Sequence, residues 1–244
     1  MLLFGKGISL REAESLEVIC LMDNSVDFTS SISHPEVQGV RSWVVKRMGQ
    51  EWFEKNFRLP IAEHGLSMLV TVTCDGKRHS VLFDTGVSHE GAVSNAHGMG
   101  VNLGQIEAVV LSHGHYDHFG GLLSFVKAIG KSDLPIIVHE DMFKIRGVAF
   151  ADGSVRRYPE FPKESQIRPA KFVKTKEPYL LADGALLVTG EIPRKTDFEK
   201  GYMQQELLLM ASGSLTRGFG MTVHWLFTSK VRDLSFFLDA PTPE

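Results

Sequence analysis

The sequence has few of the features that mark secreted or membrane-spanning proteins. It contains only two cysteines, Cys20 and Cys74, and no C-x-x-C pair. Two distant cysteines favour buried thiols in a reducing compartment over a disulfide framework. No apolar run approaches the roughly 18 residues of a transmembrane helix, and the apolar start at residues 1–7 is too short for a signal peptide. We therefore expect a cytoplasmic protein.

A strong charge of one sign is also missing. The formal net charge is −3 over 244 residues, so no bulk attraction to nucleic acid or to an anionic membrane is indicated. The expected partner is a small-molecule substrate, and the oligomeric state is left open. Hydrophobic content of 43% and charged content of 23% are ordinary for a globular protein, and the length suits a single domain over residues 1–244.

The most informative stretch is residues 111–122, which read L-S-H-G-H-Y-D-H-F-G-G-L. Imidazole nitrogen and carboxylate oxygen are ligands that zinc and similar divalent ions prefer. An apolar run at 107–112 predicts a strand before the motif, and the periodicity of 119–130 predicts a helix after it. A polar loop whose histidines bind nothing is the alternative. Four residues of ligand type within six positions argue against it: His113, His115, Asp117 and His118.

The spacing divides these four residues into two pairs. Residues two apart in an extended segment point the same way, so His113 and His115 can bind one ion. Asp117 and His118 come after the chain turns and can face a second ion nearby. The glycines at 120–121 lack side chains and are predicted to let the start of the helix approach the metals closely.

Other segments of the chain predict the surroundings of the motif. Strands are expected at residues 16–22, 68–74 and 79–86, and the Asp-Gly turn at 75–76 predicts a hairpin between the last two. Residues 25–59 are predicted to be a long irregular lid or insertion. Four aromatic side chains are its expected packing anchors: Trp43, Trp52, Phe53 and Phe57.

Asp84 ends the strand predicted at 79–86. A carboxylate at a strand end can hydrogen-bond a metal-binding histidine and fix its orientation. A turn aspartate that only caps the loop is the alternative. His139, at the end of a strand predicted at 135–141, is expected either to line a pocket or to be structural.

The pattern H-x-H-x-D-H resembles the metallo-β-lactamase superfamily, in which it supplies much of a two-metal site. Five segments in this order narrow the resemblance: D-N at 23–24, E-H-G-L-S at 63–67, L-F-D-T-G at 82–86, the motif itself, and G-E-I-P-R at 190–194. Together they resemble the branch named for a dihydropterin–ribofuranosylaminobenzene phosphate synthase of methanopterin synthesis. The resemblance covers about residues 16–199.

This resemblance implies an α/β fold, the four-layer αββα sandwich, and a site for two Zn²⁺ or other divalent ions. It assigns His113 and His115 to the first metal and Asp117 and His118 to the second. Asp117 would also orient a metal-activated hydroxide. Asp84 would lie below the metals and would hydrogen-bond a metal-binding histidine.

The same resemblance implies a phosphate-bearing or pterin-like substrate and a hydrolase-like reaction. One fold hosts many chemistries, so the named reaction need not hold here. We assign substrate contact to His64 and Arg194, because arginine suits bidentate recognition of phosphate. A surface arginine after a proline is the alternative for Arg194.

From about residue 201 the sequence departs from this family pattern. The expected G-C-S-H or G-C-A-H and a late histidine are not found, and His224 stands in a different context, V-H-W-L-F. Permitted codons for residues 232–244, read one base earlier, encode G-L-V-V-L-S-G-C-S-H-A-G. We therefore expect an incomplete second half with an out-of-frame tail at about 200–244, the alternative being a genuine divergent ending. Four apolar side chains should then be exposed or poorly packed: Trp225, Phe227, Phe236 and Phe237.

Three functions remain open on the sequence. The first is a metal-dependent enzyme of this superfamily. The second is a truncated, non-catalytic metal-binding remnant, which the missing third histidine supports. The third is a redox variant with two irons, which usually needs further carboxylate ligands that we do not identify.

Overall fold

The computed structural model describes residues 8–192, apart from residues 151 and 153, together with the backbone of four later strands. Strands β1–β11 span Glu12–Ala13, Ser15–Met22, Ser67–Cys74, Lys77–Phe83, Ile106–Val110, Pro135–Val138, Ile145–Ala149, Val155–Arg157, Lys171–Lys174, Tyr179–Leu181 and Leu186–Val188. The later strands β12–β15 span Leu207–Leu209, Leu215–Thr216, Phe227–Val231 and Leu234–Leu238. Helices α1–α6 span Val40–Met48, Gln50–Asn56, Gly91–Gly98, Tyr116–Phe119, Leu122–Ile129 and Glu164–Ile167.

A six-stranded mixed sheet, in the order β2-β3-β4-β5-β6-β9, forms the centre of the fold. The first three strands are antiparallel, and β4, β5, β6 and β9 run parallel. Parallel strands are covered on both faces, which explains why β6 is entirely apolar and why β5 is apolar except for Glu107. Their carboxyl ends meet at one edge, so the residues that follow β4, β5 and β6 are brought together there.

The predicted hairpin at residues 68–86 is confirmed. Strands β3 and β4 pair without a break from Met68–Phe83 to Cys74–Lys77. The turn residues Asp75 and Gly76 both have positive φ, 49° and 70°. Two left-handed residues match a type I′ turn, whose twist suits the flanking strands.

The two faces of the central sheet carry different layers. On one face, Glu17 of β2 accepts a hydrogen bond from the Trp43 indole of α1 at 3.0 Å. On the other face, His79 of β4 approaches Asp183 in the turn between β10 and β11. The second sheet, in the order β1-β14-β11-β10 with β15 beside β14, therefore lies on that face. Helix, sheet and sheet are the first three layers of the predicted αββα sandwich, and the fold class is as expected.

The predicted irregular insertion was wrong in one respect, because it contains the helices α1 and α2. Its four predicted anchors are partly buried and pack against the core. The two helices were missed because both are short and α2 buries none of its residues completely. After β6, a 3₁₀ turn ends at Phe143, and β7 begins at Ile145.

The prediction of two buried thiols holds for one cysteine only. Both cysteines are free, with Cys74 buried in β3 and Cys20 exposed on β2. Strand β2 is the edge of the central sheet, so a residue on it can reach solvent. No helix of the described residues combines the length and apolarity needed to cross a membrane.

The predicted out-of-frame tail, about 200–244, falls almost wholly outside the described residues. Only the backbone of β12 to β15 is described there. The expected exposure of Trp225, Phe227, Phe236 and Phe237 therefore lies outside the described residues and stays a prediction.

Asn95 fastens α3 to two other segments. Its side-chain amide donates to the carbonyls of Leu21 at 2.8 Å and Ile61 at 2.9 Å, and its oxygen accepts from the Ile61 amide at 2.9 Å. Asn95→Ala should lower the free energy of unfolding by about 2–3 kcal/mol, because buried backbone groups lose their partners. Urea denaturation measures this. Ser94, the exposed residue before Asn95, provides the control. Ser94→Ala should change the free energy of unfolding by less than about 0.5 kcal/mol. Equal losses in both variants would contradict the role of Asn95.

Candidate functional site

The motif lies at the carboxyl edge of the central sheet, as predicted. Strand β5 ends at Val110, and the chain reaches α4 through Ser112, His113 and His115, the last of which is the N-cap of α4. Ser112 and His113 are buried. The motif therefore occupies the strand-to-helix turn at which ligand sites of open α/β sheets form.

Asp84 connects the motif to the neighbouring strand. Its carboxylate accepts hydrogen bonds from the Ser112 amide, the Ser112 hydroxyl and His118 Nδ1, each at 2.7 Å. The side chain is completely buried, and its φ of 56° is left-handed. Asp84 thus contacts His118 directly and lies one hydroxyl away from His113, which is the position that a supporting residue requires.

These contacts orient both imidazoles. His118 donates from Nδ1 to Asp84, which directs its Nε2 away from the sheet toward Asp117. The Ser112 hydroxyl donates its hydrogen to Asp84. His113 Nδ1 lies 2.8 Å from the Ser112 hydroxyl oxygen, so Nδ1 is the donor in the contact between Ser112 and His113. His113 is then left with Nε2 as a lone-pair donor, the form that binds metals.

The predicted ligands meet in two pairs with the expected membership. His113 Nε2 lies 3.0 Å from His115 Nδ1, and His118 Nε2 lies 3.5 Å from the nearer Asp117 carboxylate oxygen. Two ligands of one tetrahedral zinc at about 2.0–2.1 Å are about 3.3 Å apart. The two separations, 3.0 and 3.5 Å, lie on either side of this ligand spacing. The described residues contain no group of three or more His, Cys, Asp or Glu side chains arranged to hold one.

Electrostatics couple His118 to two carboxylates. Burial opposes the charged imidazolium, but the charges and hydrogen bonds of Asp84 and Asp117 outweigh it and raise the pKa of His118 to about 10. Burial likewise opposes ionisation of Asp117, but its hydrogen bond with His118 and the charge of His118 hold the pKa of Asp117 below its usual range. The site accordingly favours positive charge between these side chains.

The E-H-G-L-S segment lies against the motif. His64 Nε2 is 3.2 Å from an Asp117 carboxylate oxygen, and the His64 side chain is 77% exposed. Gly65, at φ 125°, lies so close to the Asp117 carbonyl that a Cβ could not fit there. His64 thus lies at the surface beside Asp117, and its contact with a substrate stays a prediction. The other predicted substrate residue, Arg194, lies outside the described residues.

Several residues of the site were missed by the sequence analysis. Ser112 was read only as part of a strand. Arg146 donates to the carbonyls of Gly114 at 3.4 Å and Asp141 at 2.7 Å. It thereby holds the backbone between His113 and His115. Tyr158 places its ring 6.4 Å from that of His115. Neither Arg146 nor Tyr158 stands in a pattern that signals such a contact.

His139 at the end of β6 is completely buried. Its Nδ1 accepts from the Asp141 amide at 3.1 Å, and its Nε2 lies 3.4 Å from a Glu191 carboxylate oxygen. Glu191 belongs to G-E-I-P-R. His139 therefore connects the start of that segment to the site edge of the sheet, which is a structural contact.

The Gly-Gly pair of the motif packs against the backbone that follows Asp84. A Cβ on Gly120 would collide with the Val87 carbonyl, and one on Gly121 with the Thr85 carbonyl. The Thr85 amide and hydroxyl both donate to the His118 carbonyl, at 2.8 and 3.0 Å. The glycines thus let the motif pack onto the backbone after Asp84.

Residues 61–195, more than half of the chain, match the family model of the Metallo-beta-lactamase superfamily. The chain belongs to this superfamily. The matched residues include the hairpin, the motif and the G-E-I-P-R segment, so family membership rests on the same part of the chain as the site.

Two relatives come from Methanocaldococcus jannaschii. One is a 7,8-dihydropterin-6-methyl-4-(beta-D-ribofuranosyl)-aminobenzene-5'-phosphate synthase, 31% identical over 57% of this chain and 48% of its own length. The other, the uncharacterized protein MJ0448, is 30% identical over 64% of this chain and 62% of its own length. The chain thus spans about half to three fifths of the length of these relatives.

Solved structures are also similar to this chain at low sequence identity. The MIM-2 metallo-beta-lactamase is 16% identical with a TM-score of 0.39, covering 71% of this chain and 53% of that one. A quorum-quenching N-acyl homoserine lactone lactonase is 12% identical with a TM-score of 0.41, covering 94% of this chain and 74% of that one.

Gly120→Ala tests the packing of the motif. The added methyl group must push the α4–α5 junction away from the Val87 carbonyl, so we expect a loss of about 2 kcal/mol in unfolding free energy. Gly104→Ala is the matched control, since its Cβ would meet only the Asn102 side chain, at 3.3 Å. Urea unfolding of both variants measures the difference, and a stable Gly120→Ala protein would show that the close packing is not required.

Proposed function

We propose that this protein is a divalent-metal-dependent, hydrolase-like enzyme that acts on a phosphate-bearing or pterin-like substrate. The observation that carries the proposal is the presence of two donor pairs at one sheet edge, each with the spacing of two ligands of one ion. Membership of the superfamily supports an enzyme of this class. The identity of the metal, zinc in the first instance, belongs to the proposal.

His113 and His115 would hold the first ion, and Asp117 and His118 the second. Zn²⁺ in such a position supplies Lewis acidity that makes water a nucleophile near neutral pH. Asp84 and Ser112 keep the imidazole nitrogens directed at the site, so little reorganisation is needed when a ligand binds.

We propose a second role for Asp117, which is to orient the attacking nucleophile. Its carboxylate is partly exposed, with 16% of the side chain accessible, and its pKa is held low by His118. It is therefore ionised at neutral pH and can accept a hydrogen bond from an attacking water molecule. That contact would aim the water at the substrate and receive its proton.

His64 and Arg194 are the proposed substrate contacts. His64 is exposed beside Asp117, where a substrate must enter. The name of the M. jannaschii synthase includes a 5'-phosphate compound. A guanidinium such as that of Arg194 is well suited to bind a phosphate group.

A non-catalytic metal-binding remnant is the second candidate. It is favoured by the finding that the predicted ligands form pairs, with no three-donor group among the described residues. Two protein ligands hold an ion loosely, and an error of about 1 Å in position can cost a hundredfold in rate. Measured turnover separates the two candidates.

Metal analysis tests the site directly. The purified chain, supplied with zinc, should bind it, and His115→Ala should lower the zinc affinity by at least about tenfold because one pair loses a donor. His97→Ala, an exposed residue of α3, is the control and should bind zinc as the parent does. Equal zinc content in all three proteins would remove the metal assignment.

A turnover assay tests the enzyme assignment. Generic phosphoesters and carboxylic esters should be hydrolysed only with metal present, and Asp117→Asn should reduce kcat by about a hundredfold or more. His64→Ala should mainly raise KM, with His89→Ala as its exposed control. If zinc binds but no substrate turns over, the remnant is the correct description.

The tail prediction has its own test. A version in which the shifted reading frame replaces residues from about 200 onward should bind zinc more tightly and turn over faster, because it regains the G-C-S-H histidine. Equal affinity and turnover in both versions would show that the shifted frame is irrelevant. The nucleotide sequence across codons 199–244 decides the same question independently.

A further inference from the structure

A second histidine site lies at the opposite end of β4 from the motif. His79 is near the start of this strand, and its side chain is only 10% exposed. Asp84, which supports the motif, comes five residues later, so at about 3.3 Å per residue the two sites are roughly 16 Å apart. None of the residues around His79 belongs to the proposed active site.

Glu107 of β5 fixes the tautomer of His79. The His79 Nδ1 atom lies 2.9 Å from a Glu107 carboxylate oxygen. A carboxylate can only accept, so Nδ1 carries the proton. When the ring is neutral, the lone pair is therefore on Nε2, which faces the second sheet. Carboxylates orient metal-binding histidines in proteins through this same contact.

The Nε2 atom faces another carboxylate. An Asp183 oxygen lies 3.5 Å from it, and the buried Nε2 has no hydrogen-bond partner. This separation exceeds the usual 2.7–3.2 Å of an N–H···O bond. It is close to the distance of about 3.4 Å between nitrogen and oxygen ligands of one tetrahedral zinc ion. A buried lone pair facing an anionic oxygen is unfavourable unless a proton or a metal cation lies between them.

We propose that His79 Nε2 and Asp183 bind a divalent transition-metal ion such as Zn²⁺ where the two sheets meet. Glu107 is a positioning residue that holds the imidazole from behind. The proposal is independent of the proposed function, because its donors, its location and its readout differ from those of the motif.

The turn that carries Asp183 is held in place from β1. The Arg11 amide donates to the Gly184 carbonyl at 2.9 Å, and the Arg11 guanidinium contacts the Asp183 carbonyl at 3.4 Å. That guanidinium also pairs with Asp75, so its charge is partly neutralised. The Asp183 side chain is 58% exposed, which leaves space for water to complete the coordination of the ion.

The chemistry also sets the expected strength and effect. Two protein donors give a weak site that exchanges its ion readily, in contrast to a closed structural zinc site with four. Because β4 and β5 belong to the first sheet and Asp183 precedes β11 of the second, the bound ion would link the two sheets. Binding to the folded state alone would then stabilise the junction.

Nitrogen NMR of the imidazole rings tests the proposal in the full chain, with ZnCl₂ as the probe. His79→Gln assigns the His79 signals, and each histidine is then followed separately. Zinc should shift His79 Nε2 while Nδ1 stays protonated. Asp183→Asn should raise the zinc concentration needed for this shift by at least about tenfold. Asp133→Asn, an exposed aspartate paired with Lys171, is the control and should leave the titration unchanged.

Three results would overturn the proposal. One is a change of the nitrogen signals at millimolar zinc that is confined to His113, His115 and His118. Another is a His79 Nε2 that carries a proton both with and without zinc, which would mean that a proton bridges Glu107 and Asp183. The third is an unchanged titration in Asp183→Asn. Asp183 is exposed, so its variant is expected to fold.

Discussion

The buried carboxylate of Asp84 is the interaction on which the site depends. An ionised group with no solvent contact is costly unless its oxygens are hydrogen-bonded, and here the Ser112 amide, the Ser112 hydroxyl and His118 supply three short bonds. These partners come from the end of β5 and from α4. The side chain that follows β4 therefore fixes the position of the neighbouring strand end, the turn and the helix that carry the predicted ligands.

Backbone packing around this carboxylate explains the small residues of the motif. The site is assembled from three separate turns, and side chains at their contact points would hold them apart. Gly65 lies on the Asp117 carbonyl, and Gly120 lies on the Val87 carbonyl. Because glycine has no Cβ, polar backbone groups can approach each other at these points. The Thr85 hydroxyl then donates a hydrogen bond to the His118 carbonyl.

The behaviour of His118 and of His79 depends on the hydrogen-bond acceptors that face their ring nitrogens. His118 faces Asp84 through Nδ1 and Asp117 through Nε2, which favours positive charge. His79 has a similar arrangement between Glu107 and Asp183 at the other end of β4. The imidazole is the same group in both places, and the carboxylates that the fold places around it decide whether it can hold a cation.

The local order of residues was enough to predict much of this protein. An alternating or apolar pattern predicts a strand, two adjacent turn residues predict a hairpin, and four residues of ligand type within six positions predict a metal motif. The hairpin of β3 and β4, the strand before the motif and the pairing of its four ligands follow from such short-range spacing. Only the tertiary structure could show that Arg146 holds Gly114, that Gly120 packs on Val87, or that His79 meets Asp183. These contacts join residues 32, 33 and 104 positions apart in the sequence, and no local pattern encodes them, because they arise only when the sheets and helices close around one core.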